Sequence, residues 1–406
     1  MAGRIASIKP PSKDPAEFKE GWEVIEADGL LVIPGLIDLH THLREPGFEY
    51  KETIRTGTRA ASEGGFTSVL CMANTDPVND TEAVTRYILK KAGDEGSARV
   101  YCVGALSAGL NGGRLAEFSE LKGAGCVAVS DDGRPVANSS LMRRALEYAD
   151  FFDMPVITHA EEMALVGSGV MNEGVVSTRL GLKGIPNAAE DVMVARDIEL
   201  ARLAGARLHI AHVSTRGAVD LIRKAKKQGV KVTAEATPHH LTLNHEAVIG
   251  YNVNAKMNPP LRAPEDVEAL RQGLKDGTID CIATDHAPHS VFEKDVEFDL
   301  SANGVVGLET ALGVCLKLVD EGVVDLKKLV MLMSANPAMI MGLDGGSLRI
   351  GAPADMAVID LEREWVVRPS AFRSKGQNTA FAGWPLKGRV VKTIFNGELV
   401  HDIEKD

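Results

Sequence analysis

Short apolar segments alternate with amphipathic segments along most of this chain. Eight apolar segments have the length of buried strands and span residues 36–42, 66–73, 98–106, 125–132, 154–161, 206–214, 230–240 and 279–289. The segments between them include 52–64, 140–152, 189–205 and 215–229, which place apolar residues at helical spacing and in several cases end at glycine. Strands that alternate with helices predict a parallel sheet. Eight such units predict an α/β fold, the (β/α)8 TIM barrel.

The two ends of the chain have a different pattern. Short strand-like segments with glycine and proline turns occur at 3–10, 21–29, 345–363 and 389–401. We therefore expect a small β-sandwich domain built from both termini, residues 1–33 and 344–406, beside a barrel at 34–343. A doubly wound sheet is the structural alternative, but no glycine-rich phosphate-binding fingerprint follows the first strand.

Composition narrows the choice of partners. The chain has 406 residues and a net charge of −11, which argues against nucleic acid or an anionic membrane as the main partner. No apolar segment approaches membrane-spanning length, and the N-terminus lacks the apolar core of a signal peptide. The five cysteines are scattered without C-x-x-C spacing, which favours a reducing, cytoplasmic compartment.

Polar side chains collect at the ends of the predicted strands, where barrels of this type carry their chemistry. They are His40 and His42, Asn74, Asp131 and Asp132, His159, His212 and Asp285, with His286 and His289 just beyond. Residues two apart on a strand face the same side, so His40 and His42 can point at one place. Imidazole and carboxylate groups suit zinc and related divalent ions. Four histidines and two aspartates exceed one tetrahedral site and suit two metals that share a carboxylate and activate water.

Each of these motifs also has an ordinary structural explanation. An isolated H-x-H or a single histidine is more often a hydrogen-bonded core or loop residue. Asp-Asp-Gly is more often a turn, and Asp285 could be a helix N-cap. The functional interpretation is favoured because every motif lies at the end of a separately predicted strand.

Six motifs together resemble the dihydroorotases of the amidohydrolase superfamily. They are "DLHTHLREPG", "SDDG", "THAE", "AHVST", "KMNPPLR" and "ATDHAPH", and the resemblance extends from about residue 25 to 400. It implies reversible hydrolytic interconversion of L-dihydroorotate and N-carbamoyl-L-aspartate in pyrimidine synthesis. It also implies zinc, one or two ions per chain, with manganese or cobalt as alternatives.

The resemblance assigns roles to individual residues. It implies that the metal ligands are His40, His42, Asp132, His159, His212 and Asp285. Asp132 takes the place of the carboxylated lysine found in many relatives, and Asp285 is also the general base and acid. Arg44 is expected to grip the substrate carboxylate with help from Asn74 and His289, and Asn258 to contact the ring amide. We expect Asp38 and Asp131 to be structural, and His209, His239 and His240 to lie outside the metal set.

Several alternatives remain open at this level. Another cyclic amidase, such as a hydantoinase or allantoinase, is one. A non-catalytic scaffold for aspartate transcarbamoylase is another, and that enzyme is also a candidate partner for an active, homo-oligomeric form. A surface ion pair with Glu45 is the structural alternative for Arg44, and residues 290–304 are expected to form a mobile loop over the site.

Overall fold

The computed structural model describes residues 3–10 and 23–405. Within these residues the strands are β1 (Leu31–Pro34), β2 (Leu36–Thr41), β3 (Phe66–Cys71), β4 (Arg99–Ala105), β5 (Cys126–Ser130), β6 (Val156–Thr158), β7 (Met171–Asn172), β8 (Gly184–Ile185), β9 (Leu208–Ile210), β10 (Val232–Ala236), β11 (Cys281–Ile282), β12 (Met356–Val366), β13 (Pro385–Phe395) and β14 (Glu398–Asp402).

Eight of these strands form the predicted barrel. Their order is β2-β3-β4-β5-β6-β9-β10-β11, with every neighbouring pair parallel. Between β11 and β2 the ring is nearly closed, because Thr41 and His286 form a parallel bridge and the His42 N–H donates to the His286 carbonyl at 2.9 Å. The (β/α)8 prediction is thus confirmed, although the strands are shorter than the apolar segments that predicted them.

Helices surround the barrel in the predicted alternation. They are α1 (Ile54–Glu63), α2 (Glu82–Glu95), α3 (Phe118–Ala124), α4 (Ser139–Phe151), α5 (Met163–Val166), α6 (Val175–Leu180), α7 (Ala188–Ala204), α8 (Arg216–Lys227), α9 (Pro238–Thr242), α10 (Pro264–Asp276), α11 (Val291–Lys294), α12 (Ala311–Asp320), α13 (Leu326–Val330) and α14 (Asn336–Met341). Several helices have an N-cap side chain that accepts a backbone N–H. The Thr53 side chain accepts from the Thr56 N–H before α1, and the Thr215 side chain accepts from the Ala218 N–H before α8. Gly205 ends α7 in the left-handed conformation.

The main core lies between the barrel strands and these helices. Phe66, Ile88, Leu121, Leu146 and Ile222 are fully buried members of this core. Burial of each such side chain stabilises the fold by roughly 1.5–3 kcal/mol relative to exposure. The barrel is therefore a packed scaffold that holds the ends of its strands in fixed positions.

Both termini contribute to a second sheet with the antiparallel order β1-β12-β13-β14. One face packs into the barrel core through Ala357, Ile359 and Val390. The other face carries Val358, Val391 and Ile394, which are covered by side chains of the segment before β1, among them Ile25 and Leu30.

The predicted N-terminal strands are wrong in the described residues. Residues 3–10 make only a single antiparallel bridge, Arg4 with Pro353, and 23–29 form no strand. Apolar side chains of 23–29 instead cover one face of the small sheet. The apolar pattern of this segment therefore indicates buried side chains and not a strand of the sheet. Residues 1–2, 11–22 and 406 of the predicted terminal ranges lie outside the described residues. The domain boundaries stay a prediction.

No helix in the described part of the chain is long and apolar enough to cross a bilayer.

Candidate metal centre and substrate cavity

The first group of potential ligands lies where β2 and β5 end. His40 Nε2 is 3.3 Å from Asp132 Oδ1, and His42 Nε2 is 3.6 Å from Asp132 Oδ2. All three side chains are buried, and their ligand atoms lie close enough together to hold one ion.

A second group shares Asp132 with the first. His159 Nδ1 and His212 Nε2 each lie 3.6 Å from Asp132 Oδ1, and they are 2.9 Å from one another. Because the Asp132 carboxylate belongs to both groups, either group could use it as a ligand.

Asp285 completes the cluster from the end of β11. Its Oδ1 lies 3.0 Å from His42 Nε2 and 3.6 Å from His40 Nε2. The structure therefore brings together all six side chains to which the sequence resemblance assigned metal binding.

Three buried polar atoms in this cluster have no hydrogen-bond partner among the described residues: His40 Nε2, Asp132 Oδ1 and His212 Nδ1. Buried polar atoms normally have a partner, because leaving one unpaired costs free energy. Two of the three, His40 Nε2 and Asp132 Oδ1, face each other inside the candidate ligand set. Imidazole nitrogens and carboxylate oxygens are the donors that divalent transition metals prefer. The cluster thus fits a metal cofactor.

Electrostatics favour ionised carboxylates in the cluster. Burial raises the pKa of Asp132, but the neighbouring His40, His159 and His212 outweigh it and hold the pKa well below the usual range. Burial also raises the pKa of Asp285, but the nearby His40 and His42 have the larger effect and lower this pKa to about 2. Both carboxylates are therefore available as ligands near neutral pH.

Three candidate ligand histidines have a hydrogen-bond partner at the second ring nitrogen, and these partners orient the imidazoles. Glu235 Oε1 lies 2.7 Å from His40 Nδ1, Asn74 Oδ1 lies 2.9 Å from His42 Nδ1, and Glu161 Oε2 lies 3.1 Å from His159 Nε2. Sequence reasoning missed Glu235 and Glu161. A signal was present for Glu235, since a carboxylate inside the apolar strand "VKVTAEA" needs a buried partner.

Strained backbone places three side chains of the site. Arg44, His212 and Asp285 have φ values of 64°, 32° and 49°, in a region that residues other than glycine seldom adopt. Strain of this kind concentrates at functional sites, where the surrounding structure enforces it. Asp285 and His212 follow the ends of β11 and β9, at the rim of the barrel.

A cavity of about 220 Å³ opens beside the metal cluster. The four predicted substrate contacts all line it: Arg44, Asn74, Asn258 and His289. Asn303 and Gly304 form part of the same wall. Burial lowers the pKa of Arg44, opposed by Asp285 and Glu293, yet a guanidinium keeps its charge at neutral pH. The cavity therefore presents one fixed cation next to the cluster.

Arg44 points into this cavity and not toward Glu45. The Arg44 Nε–H donates to the Pro288 carbonyl at 3.2 Å. Glu45 is buried elsewhere, where it accepts the Ile54 N–H at 2.9 Å and the Tyr87 hydroxyl at 3.2 Å. The surface ion pair considered as an alternative for Arg44 is wrong, and Glu45 anchors the start of α1.

The other acidic side chains near the strand ends have structural contacts. Asp38 is fully buried and accepts the N–H groups of His40 at 3.0 Å and Thr284 at 3.1 Å. Asp131 accepts the Ser107 N–H at 2.8 Å. These contacts fix the loops that carry the ligands.

The remaining histidines near the site have other neighbours. His209 Nε2 lies 3.1 Å from Glu235, and His240 Nε2 donates to the Pro259 carbonyl at 2.9 Å. Burial lowers the pKa of His239 to about 4, so this imidazole is neutral.

Two buried lysines fasten the segment 290–304 beside the cavity. The Lys294 Nζ donates to the carbonyls of Ala302 at 2.8 Å and Gly304 at 3.2 Å. The Lys256 Nζ donates to the Ser301 carbonyl at 2.7 Å. Burial lowers the pKa of Lys294 to about 7. The segment predicted as a mobile loop thus has its own helix, α11, and defined attachments.

Comparisons with known proteins agree with this geometry. Residues 31–400 match the Amidohydrolase family. A curated dihydroorotase of Citrifermentans bemidjiense is 59% identical over 382 residues, which cover 94% of this chain and 90% of that protein. A dihydroorotase of Geotalea daltonii is 58% identical over 401 residues, covering 99% of this chain and 93% of that protein.

Solved structures show the same architecture. An L-hydantoinase (dihydropyrimidinase) from Arthrobacter aurescens superposes with a TM-score of 0.88 at 25% identity, covering 99% of this chain and 91% of that chain. A dihydropyrimidinase from Brevibacillus agri has a TM-score of 0.85 at 22% identity, over 99% of this chain and 90% of that chain, and shows the fold alone. The family match and the identity over nearly the whole chain confirm the resemblance found in the motifs: this chain belongs to the amidohydrolase family and, within it, to the dihydroorotases.

Proposed function

We propose that this protein is a dihydroorotase that opens and closes the ring between L-dihydroorotate and N-carbamoyl-L-aspartate in pyrimidine synthesis. The observation that carries the proposal is the buried six-residue cluster with a fixed guanidinium beside it in one cavity. A cyclic amide hydrolase for an anionic substrate needs those two features together.

The proposed metal ligands are His40, His42, Asp132, His159, His212 and Asp285. Zinc is the proposed ion, since these donors suit it, and manganese and cobalt bind similar ligands. When bound, the metal would activate water and polarise the amide carbonyl.

Asp285 is the proposed general base and acid. It lies at the wall of the cavity, and its low pKa keeps it ionised before the reaction. In ring opening, Asp285 accepts a proton from the attacking water as the oxygen adds to the carbonyl carbon. It then donates that proton to the ring nitrogen as the C–N bond breaks. Ring closure follows the same steps in reverse.

Arg44 is the proposed anchor for the substrate carboxylate, because a guanidinium can bind both carboxylate oxygens at once. His289 stands next to it: its Nε2 lies 2.8 Å from the Asn303 carbonyl and 3.4 Å from an Arg44 terminal nitrogen. Asn74 and His289 are the proposed helpers of Arg44 at the carboxylate, and Asn258 is the proposed contact to the ring amide. These groups together orient the ring with its scissile amide toward the cluster.

Steady-state assays with the metal-loaded enzyme test this function. Dihydroorotate, hydantoin and allantoin are compared as substrates under the same conditions, together with ring closure of N-carbamoyl-aspartate. We expect a large kcat/KM preference for dihydroorotate. A preference for hydantoin or allantoin would reject the proposal in favour of another cyclic amidase.

The proposed setting is the cytoplasm, because the five cysteines are buried and unpaired. A homo-oligomer and an association with aspartate transcarbamoylase are the proposed assemblies. Size-exclusion chromatography and turnover with and without the transcarbamoylase test both. Turnover by this chain alone is expected, since it has all six ligand residues, and a metal-loaded chain inactive under every condition would support a scaffold role instead.

A further inference from the structure

Strand β10 contributes no predicted metal ligand, yet it carries a buried carboxylate to the cluster. Glu235 is fully buried, and three donors converge on its two oxygens. Oε1 lies 2.7 Å from His40 Nδ1 and accepts the backbone N–H of His212 at 3.2 Å. Oε2 lies 3.1 Å from His209 Nε2. One side chain therefore contacts both groups of candidate ligands.

His209 extends these contacts away from the cluster. Its Nδ1 lies 2.8 Å from the Thr233 hydroxyl. When His209 donates its Nε2 proton to Glu235, its Nδ1 can accept the hydroxyl proton of Thr233. The order Thr233, His209, Glu235, His40 is thus a continuous chain of hydrogen bonds.

The same contacts determine which nitrogen of His40 is free. A neutral imidazole has one N–H and one lone pair. With its proton on Nδ1 toward Glu235, a neutral His40 leaves the lone pair of Nε2 free for a metal, on the side where Asp132 and Asp285 lie. This Nε2 is one of the buried atoms with no hydrogen-bond partner among the described residues.

We propose that Glu235, supported by His209, is a positioning residue that prepares both ligand groups for metal. It holds His40 in the tautomer that binds through Nε2, and it fixes the strained backbone at His212, whose φ is 32°. This inference rests on the proposed metal site and adds a residue that determines the affinity of that site.

His209, Glu235 and Cys281 are themselves close enough to hold an ion, so a third metal site is the competing interpretation. The contacts argue against it. Both nitrogens of His209 and both oxygens of Glu235 already have partners. Burial also raises the pKa of the Cys281 thiol well above its usual range, so this sulfur stays protonated and is a poor ligand.

Metal affinity of the full-length protein tests the proposal. Zn²⁺ binding is measured by competition with a chromophoric chelator for the wild type, Glu235→Gln and Asp197→Asn. Loss of such a supporting partner typically weakens metal binding by about 10- to 100-fold, which is the effect expected for Glu235→Gln. Asp197 is the matched control: it is fully buried and accepts from Thr158 and Arg196 without touching a candidate ligand. Its variant should bind zinc like the wild type.

Two further readouts separate positioning from a general effect on folding. The visible absorption spectrum of the Co²⁺-loaded protein should change in Glu235→Gln and not in Asp197→Asn. His209→Leu, which removes the donor to Glu235, should weaken zinc binding more than His209→Gln, which keeps one. This second pair decides the question if Glu235→Gln does not fold.

Zinc affinity within about twofold of the wild type in Glu235→Gln, with an unchanged Co²⁺ spectrum, would overturn the proposal. Equal affinities of the two His209 variants would also overturn it. Metal affinity does not depend on the substrate, so failure of this inference is distinguishable from a failure to turn over dihydroorotate.

Discussion

Backbone conformations that the sequence pattern does not predict determine the positions of individual side chains in the site. Arg44 is the clearest case, because β2 ends at Thr41 and the alternation of faces along the strand ends there. A positive φ of 64° at Arg44 accompanies the turn that directs its side chain into the cavity. His40 lies on the strand, where the alternation predicted its direction correctly.

Arg44→Met should weaken substrate binding and leave the metal in place. A hydrogen bond to a charged group contributes about 1.5–3 kcal/mol, so we expect kcat/KM for dihydroorotate to fall by about 10- to 100-fold. Most of the change should be in KM. Steady-state kinetics and metal analysis measure the two effects, with Arg55→Met on the exposed face of α1 as the control. Unchanged kinetics in Arg44→Met would remove Arg44 from substrate binding.

Asp285→Asn should nearly abolish turnover, because an amide cannot accept and return the proton. General base catalysis contributes about 10²- to 10⁴-fold, so a loss of kcat in this range is expected. Metal content is measured in parallel, since Asp285 is also a proposed ligand, and kcat is expressed per bound metal. A rate near that of the wild type would show that another group carries the proton.

At the level of whole elements, the segment 290–304 beside the cavity depends on two buried lysines. The segment 290–304 contains α11 and carries Asn303 and Gly304 to the cavity wall. The Nζ groups of Lys256 and Lys294 donate to carbonyl groups near the end of this segment, at 301, 302 and 304. The apolar pattern could not predict this, since a lysine in a polar segment ordinarily indicates an exposed position.

Lys294→Met should loosen this segment and raise KM. The variant keeps the length of the side chain but leaves the carbonyls of Ala302 and Gly304 without their donor, at a cost on the order of 1–3 kcal/mol. We expect KM for dihydroorotate to rise by roughly 10-fold and amide exchange in 299–304 to accelerate, at unchanged metal content. Lys224→Met, on the exposed side of α8, is the control. Wild-type exchange rates in the Lys294 variant would contradict this role.

At the level of the whole molecule, the barrel and the small sheet are joined by a charged contact as well as by the shared core. Glu63, at the end of α1, lies 2.9 Å from Arg373 Nε and 3.3 Å from an Arg389 terminal nitrogen. Glu309, before α12, accepts the Arg373 N–H at 2.7 Å. Burial, with a contribution from Glu63, raises the pKa of Glu309 to about 8.

This shift predicts a pH-dependent stability. The pKa of Glu309 is about 8 in the folded state, above its ordinary value of 4.5, so the folded state holds this proton more tightly than the unfolded state. Its contribution is complete below pH 4.5, decreases as the pH rises toward 8 and is lost above it.

Thermal unfolding between pH 5 and pH 9 measures the effect. The Tm of the wild type should fall relative to that of Glu309→Gln as the pH rises to about 8, because glutamine cannot ionise. The same substitution at Glu199, an exposed residue of α7, should follow the wild type. Parallel curves for the wild type and Glu309→Gln would contradict the raised pKa.

The sequence by itself determined the eight-stranded barrel, the resemblance to dihydroorotases and the six residues that meet at the strand ends. It could do so because strand and helix periodicity are local, and because parallel strands in a barrel bring their C-terminal ends to one rim. The site motifs are also local, since each lies within a few residues of one strand end. These features can be predicted without knowing which residues far apart in the sequence are in contact.

Only the tertiary structure decided the partners of those residues. Glu235 lies 195 residues from His40 in the sequence, and no period or spacing relates them. The same holds for Asn258 and Glu161, which are 97 residues apart and 3.0 Å from each other in space. The fold also decided that apolar residues of 23–29 cover a sheet instead of extending it. Buried polar groups must have partners, but a barrel offers candidates from several strands, and only the packed structure selects among them.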